Sequence, residues 1–190
     1  MFKQLIRQIK KNDPSLRTRR EVWLYPGLWA MVFHRMAHKL YKRKYFFWAR
    51  LLSMKARLLT GIEIHPGAVI GQGVFIDHGM GVVIGETCTI GNNVVIYHGV
   101  TLGATGNEKE KTRRHPKIGN NVTIGAGAAL LGSITVGCGA KIGAGALVIR
   151  NVPCGATVVN DPARIVQSER SARAEIERLK KRMKKLEVQG

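Results

Sequence analysis

The side chains best suited to chemistry are six histidines: His34, His38, His65, His78, His98 and His115. Acyl transfer to a hydroxyl needs a base that titrates near neutral pH, a carboxylate to orient it, and cations to hold an anionic substrate. His78 stands in FIDHGMGVVIGE, beside Asp77 and ahead of glycines that leave room around its ring. His115 follows Arg113 and Arg114, and His65 comes two residues after Glu63 in GIEIHPG. His34 and His38 are four apart, the spacing of a helical metal pair, but no HExxH pattern accompanies them. No metal is expected. The 3 cysteines are odd in number and form no CxxC, so neither a disulfide framework nor a zinc knuckle is indicated. A reducing, cytoplasmic location is expected.

These residues need a scaffold, and a repeat supplies one. From Ile64 an aliphatic residue recurs every six positions: Ile64, Ile70, Ile76, Val82. The phase slips by two and resumes at Ile84, Ile90, Ile96 and Leu102. It returns at Ile118, Ile124, Leu130, Val136, Ile142 and Val148. Six matches neither the helical nor the strand period. It suits a triangular solenoid in which each hexad makes one flat side and a corner, and the aliphatic residue points inward. Glycine, which often follows the aliphatic residue, would relieve the backbone at the corners. Fourteen hexads give between four and five coils. Residues 103–117, GATGNEKEKTRRHPK, break the repeat and must leave a corner as a loop, where solenoids often carry function.

Three segments follow: a helical one at 1–60, a solenoid at 61–160 with its loop at 103–117, and a helical tail at 161–190. Asp13-Pro14 predicts a helix start, and residues 28–41 and 46–59 show helical apolar spacing. In the tail Ala172, Ile176, Leu179, Met183 and Leu186 form a short heptad seam, suited to three tails meeting in a trimer. The formal net charge is +19, and 15 of the 31 Lys and Arg lie in residues 1–60. No recognition helix, aromatic-basic sheet motif or zinc site accompanies that charge, so no nucleic acid is expected. No signal peptide is visible. The most apolar stretch, residues 22–33, is broken by Pro26-Gly27 and too short to span a bilayer, so no membrane is expected.

The run GIEIHPGAVIGQGVFIDHGMGVVIGETCTIG resembles the core of the serine acetyltransferases. So does the continuation VTLGATG…RRHPKIGNNVTIGAGAALLGSITVGCGAKIGAGALVI. LYPGLWAMVFHRMAHKLY, ARLL and LTGIEIHP resemble the short bacterial form of that family, and the likeness covers residues 10–166. DHGMG, GETCTIG and RHPKI together separate it from sugar acetyltransferases on the same hexads. The resemblance implies a mainly β fold, a left-handed parallel β-helix with an N-terminal helical segment and a C-terminal helix. It implies acetyl transfer from acetyl-CoA to the hydroxyl of L-serine, giving O-acetyl-L-serine and CoA, the first step of cysteine biosynthesis from serine. It also implies a homotrimer or a dimer of trimers, with sites at the subunit contacts.

The resemblance assigns roles by position. His78 is the implied general base, and Glu63 the acid that orients it. Asp77 and Asp13 are the implied partners of the substrate ammonium. Arg114 would grip the carboxylate, for which its planar fork is suited, and His115 would be a second substrate contact. Ala126, Gly127, Lys141 and Gly143 would line the acetyl-CoA groove, with Arg164 near the phosphates. Backbone N–H groups near 103–106 would face the oxyanion. Three departures stand out: Ala104 where a glycine is usual at the acetyl-CoA pocket, a slightly longer loop, and Asn160-Asp161 where Gly-Val is usual. Longer members dock an O-acetylserine sulfhydrylase through a terminal isoleucine. This sequence ends Glu-Val-Gln-Gly, so no stable complex is expected through that tail. Rival readings on the same residues are a sugar or xenobiotic O-acetyltransferase, a metal-dependent carbonic anhydrase of the hexapeptide type, and a non-catalytic basic scaffold.

Overall fold

The computed structural model of the chain describes residues 6–9, 13, 15–18, 20–106, 113–160 and 176–180. Residues 1–160 form one compact unit and residues 161–190 a second. Of the predicted tail helix, residues 176–180 are helical, with Ile176 and Leu179 exposed. Ala172, Met183 and Leu186 lie outside the described residues, as do Arg164 and the last ten residues.

Among the described residues fourteen short strands wind into a left-handed parallel β-helix with three faces. Face A stacks β1 (Glu63–Ile64), β4 (Val83–Ile84), β7 (Thr101–Gly103), β10 (Ala129–Leu131) and β13 (Leu147–Val148). Face B stacks β2 (Val69–Ile70), β5 (Thr89–Ile90), β8 (Lys117–Ile118) and β11 (Thr135–Val136), and a bridge from Val136 to Val152 adds a fifth rung. Face C stacks β3 (Phe75–Ile76), β6 (Val95–Ile96), β9 (Thr123–Ile124), β12 (Lys141–Ile142) and β14 (Thr157–Val158). Register keeps like on like: Ile84 lies over Ile64, Ile118 over Ile90, and Ile124 over Ile96. Those side chains are almost wholly buried, and burying each one contributes about 1.5–3 kcal/mol.

Two expectations are corrected. Val82 does not begin a side of its own. It shares one side with Ile84, so the corner between β3 and β4 is two residues longer than its neighbours. The glycines that follow the aliphatic residues are explained by crowding rather than by backbone angle. A Cβ on Gly125 would lie 2.6 Å from the nitrogen of Ala144 in the next coil. The left-handed backbone falls three residues after the aliphatic position instead, at Gly99 and Gly127 for example, where φ is 68° in both.

Two helices close the first coil. α1 (Pro26–Lys42) buries Leu28, Ala30, Met31, His34 and Ala37, and α2 (Phe46–Thr60) buries Ala49, Ser53, Ala56 and Thr60. α1 begins on proline, where the missing N–H costs nothing. Its Gly27 lies so close to the solenoid that a Cβ would stand 2.4 Å from the carbonyl oxygen of Ile76. α2 ends at Gly61, which is left-handed at φ 70° and donates its N–H to the carbonyl of Arg57. The helix start predicted at Asp13 is not borne out by the described residues 15–18, which are not helical. The amide of Asp13 donates to the Ile9 carbonyl, and its carboxylate accepts from Ser15 at 2.8 Å (N) and 2.6 Å (Oγ), which makes a turn. Among the described residues no helix is long and apolar enough to cross a membrane.

Candidate active site

Most of the sequence-predicted residues that the structure describes fall on two corners of the solenoid. The first corner joins face C to face A, and the two-residue insertion there carries Asp77 and His78. His78 takes a left-handed backbone, φ 56°, which side chains other than glycine adopt reluctantly. That turn projects the ring outward: the side chain is 76% exposed, with Nε2 4.0 Å from Asp77 Oδ2, while Asp77 is only 15% exposed. His98, one coil on, meets the His78 ring edge-on at 6.0 Å between centroids. Asp13 lies within electrostatic reach of His78. Hydrogen bonds from Ser15 and then Tyr25 hold its carboxyl below the usual range, and His78 adds to that. The Tyr25 hydroxyl donates to Asp13, and its pKa is raised first by burial and then by that carboxylate.

Ala126, Gly127 and Gly143 continue the same corner. The amide of Gly127 donates to the His98 carbonyl, and the amide of Gly145 to the Ala126 carbonyl, so each coil stacks on the last. Lys141 opens β12 on face C with its side chain exposed. These positions form a track leading away from His78. Ala104 is elsewhere, just past β7 at the other edge of face A.

The second corner joins face A to face B. Arg114 Nη2 bonds Glu86 Oε2 at 2.7 Å, and the Tyr41 hydroxyl donates to Glu86 Oε1 at 2.7 Å. Those bonds, that from Tyr41 foremost, hold the Glu86 carboxyl below its usual range. His65 packs edge-on to Tyr41 at 5.8 Å, and burial lowers its pKa. His115 is only 7% exposed. Its ring lies over Gly85, where a Cβ would come within 2.1 Å of Nε2. Thr87 holds the ring's other nitrogen, Nδ1.

The structure thus brings Asp13, Asp77 and His78 together, and Arg114 and His115 together, but at opposite edges of face A. Glu63 joins neither set: its carboxylate pairs with Arg57 Nη1 at 3.0 Å rather than with His78. Tyr25, Tyr41, Glu86, Thr87 and His98 belong to the two corners and were not assigned from sequence. For Thr87 a signal existed: the hexad register stacks it against the residues before β8, and it stands in the GETCTIG run. Among the described residues no cluster of three or more His, Cys, Asp or Glu could hold a metal ion.

The family "Bacterial transferase hexapeptide (six repeats)" matches residues 115–150, and "Hexapeptide repeat of succinyl-transferase" matches 79–104. A serine acetyltransferase of Bacillus subtilis (strain 168) is 58% identical over 167 residues, 87% of this chain and 76% of that protein. The chain belongs to the serine acetyltransferase family. Solved structures of the family superpose on it. One is the Neisseria gonorrhoeae enzyme in complex with serine, at TM-score 0.78 and 40% identity, covering 86% of this chain and 66% of that one. Another is the Brucella abortus strain S19 enzyme in complex with coenzyme A, at TM-score 0.80 and 42% identity, covering 87% and 66%. The chain therefore spans about two thirds of the length of those solved family members.

Proposed function

We propose that this chain is a serine O-acetyltransferase. It moves the acetyl group of acetyl-CoA to the hydroxyl of L-serine, giving O-acetyl-L-serine and CoA, the first step of cysteine biosynthesis from serine. The observation that carries the reading is the pair of complementary corners: an outward histidine with carboxylates on one, a guanidinium with a second histidine on the other. An amino acid offers a hydroxyl to the first, an ammonium to Asp13 and Asp77, and a carboxylate to Arg114.

His78 takes the serine proton as the hydroxyl oxygen attacks the thioester carbon, and returns a proton to the leaving CoA thiolate. General-base help of this kind supplies about 10²–10⁴-fold, and holding both substrates in register supplies much of the rest. Acetyl-CoA runs along the Ala126–Gly127–Gly143 track with Lys141 beside it, which ends at the His78 ring. Glu63 acts on His78 only after leaving Arg57.

One solenoid holds its two corners apart, so a complete site needs the first corner of one copy against the second corner of another. Three copies packed face to face supply three such sites. Phe47, Trp48, Met54, Leu58 and Leu59 of α2 are exposed together, an apolar surface that favours the dimer of trimers where the assembly is larger than a trimer. The test is acetyl-CoA with a panel of acceptors, read as CoA thiol released and as product mass, with light scattering on the same sample. Turnover on L-serine by a trimer or larger assembly is expected. Turnover on a sugar but not on serine, or an active monomer, overturns the reading.

A further inference from the structure

The hydrogen bonds around Thr87 fix which nitrogen of His115 carries the proton. The backbone N–H of Thr87 points at His115 Nδ1 at 3.2 Å, and an amide can only donate. The Thr87 hydroxyl oxygen lies 2.8 Å from the same Nδ1. That oxygen also accepts the backbone N–H of Arg114 at 3.0 Å and of His115 at 3.1 Å. Both its lone pairs are therefore taken, and its own hydrogen goes to Nδ1. Two donors converge on Nδ1, so Nδ1 is an acceptor and the neutral ring keeps its proton on Nε2. The other tautomer would set an N–H against an N–H and against an oxygen with no lone pair to spare.

We infer that Thr87 is a positioning residue: it fixes His115 as the Nε2–H tautomer, and so makes His115 a hydrogen-bond donor to the substrate carboxylate beside Arg114. This rests on the reading that the second corner receives serine. It also divides labour between the histidines. Nε2 of His115 already carries a proton and has no lone pair for a hydroxyl hydrogen, which leaves His78 as the base. The same hydroxyl ties the backbone of Arg114 and His115 to the coil below, so Thr87 sets guanidinium and imidazole together.

Nitrogen-15 NMR of histidine-labelled protein, with His115 assigned by its loss in His115→Gln, reads the tautomer directly. The wild type and Thr87→Ser are expected to show a protonated Nε2 and a bare Nδ1. Thr87→Val keeps only the backbone donor, so the Nδ1–H form gains population. Its serine KM rises about tenfold or more while the acetyl-CoA KM stays within about twofold, because a charge-assisted hydrogen bond is lost on one substrate only. Thr87→Ser restores the serine KM. A wild-type ring protonated on Nδ1, or a Thr87→Val protein with wild-type tautomer and serine KM, overturns the inference. A wild-type Nε2–H ring in a protein that does not acetylate serine overturns the function instead and leaves the tautomer standing.

Discussion

The two corners are built to opposite specifications. At the first, His78 stands largely in solvent on a left-handed residue, with one carboxylate at 4.0 Å and a neighbouring imidazole. At the second, Arg114 and His115 are tied into a network in which Tyr41, Glu86 and Thr87 each make named hydrogen bonds. The difference suits the roles proposed for His78 as base and for Arg114 and His115 as a carboxylate-binding pair. A base must change protonation state in every turnover, so locking it into one hydrogen-bonded form would work against it. A carboxylate-binding pair does the same thing in every turnover, and fixing its geometry beforehand removes an ordering cost from binding.

Breaking the first corner has the largest effect. His78→Ala is expected to lower kcat by about 10²–10⁴-fold with a small change in serine KM, since the base acts in the transition state. A kcat within a few-fold of wild type removes His78 from the chemistry. Arg114→Ala breaks the second corner and raises serine KM by about 10–100-fold, the worth of a charged hydrogen bond, with acetyl-CoA KM nearly unchanged. Mixing the two impaired proteins, after dissociation and reassembly, then tests at low serine whether the corners face each other across copies. An Arg114→Ala chain brings an intact His78, a His78→Ala chain brings an intact Arg114, and their contact restores a site. Reassembled mixtures no more active at low serine than the separate variants place both corners within one chain.

How much of this was readable without coordinates depended on the kind of signal. The inward aliphatics fixed the faces because a six-residue period admits few folds. The phase slip at Val82 was also visible, but its meaning was not: it marks the longer corner that turns His78 outward. Asp13 read equally well as a helix cap, since an Asx turn and a helix N-terminus use the same side-chain bond. Glu86, Tyr41 and Thr87 were hidden for a different reason. Their partners are 27 to 45 residues away, and only the stacking of coils brings them together. Glu63 shows the converse. Its position suggested service to His78, and the helix packed beneath it supplied Arg57 as a competing partner.

The smallest expected effect concerns the charge that holds Arg114 in place. Glu86 titrates below the ordinary glutamate value of 4.5, because the Tyr41 hydroxyl and the Arg114 guanidinium both favour its ionised form. A carboxyl whose pKa is depressed by folding contributes stability that is present above its unfolded value and lost as pH falls through the folded one. The contribution is complete at neutral pH and fades below 4.5. Partial exposure limits it to about 1 kcal/mol. Glu86→Gln keeps the size and a hydrogen-bond acceptor for Tyr41 but removes the charge. Its melting temperature should lie below that of the wild type at pH 7, and the two curves should converge as the pH drops under 4.5. The variant's serine KM at pH 7 should rise by a few-fold, because Arg114 is then free to leave the geometry that the carboxylate imposed. A melting difference constant across that pH range would mean that Glu86 acts by shape alone, and the second corner would owe its rigidity to Thr87 rather than to the ion pair.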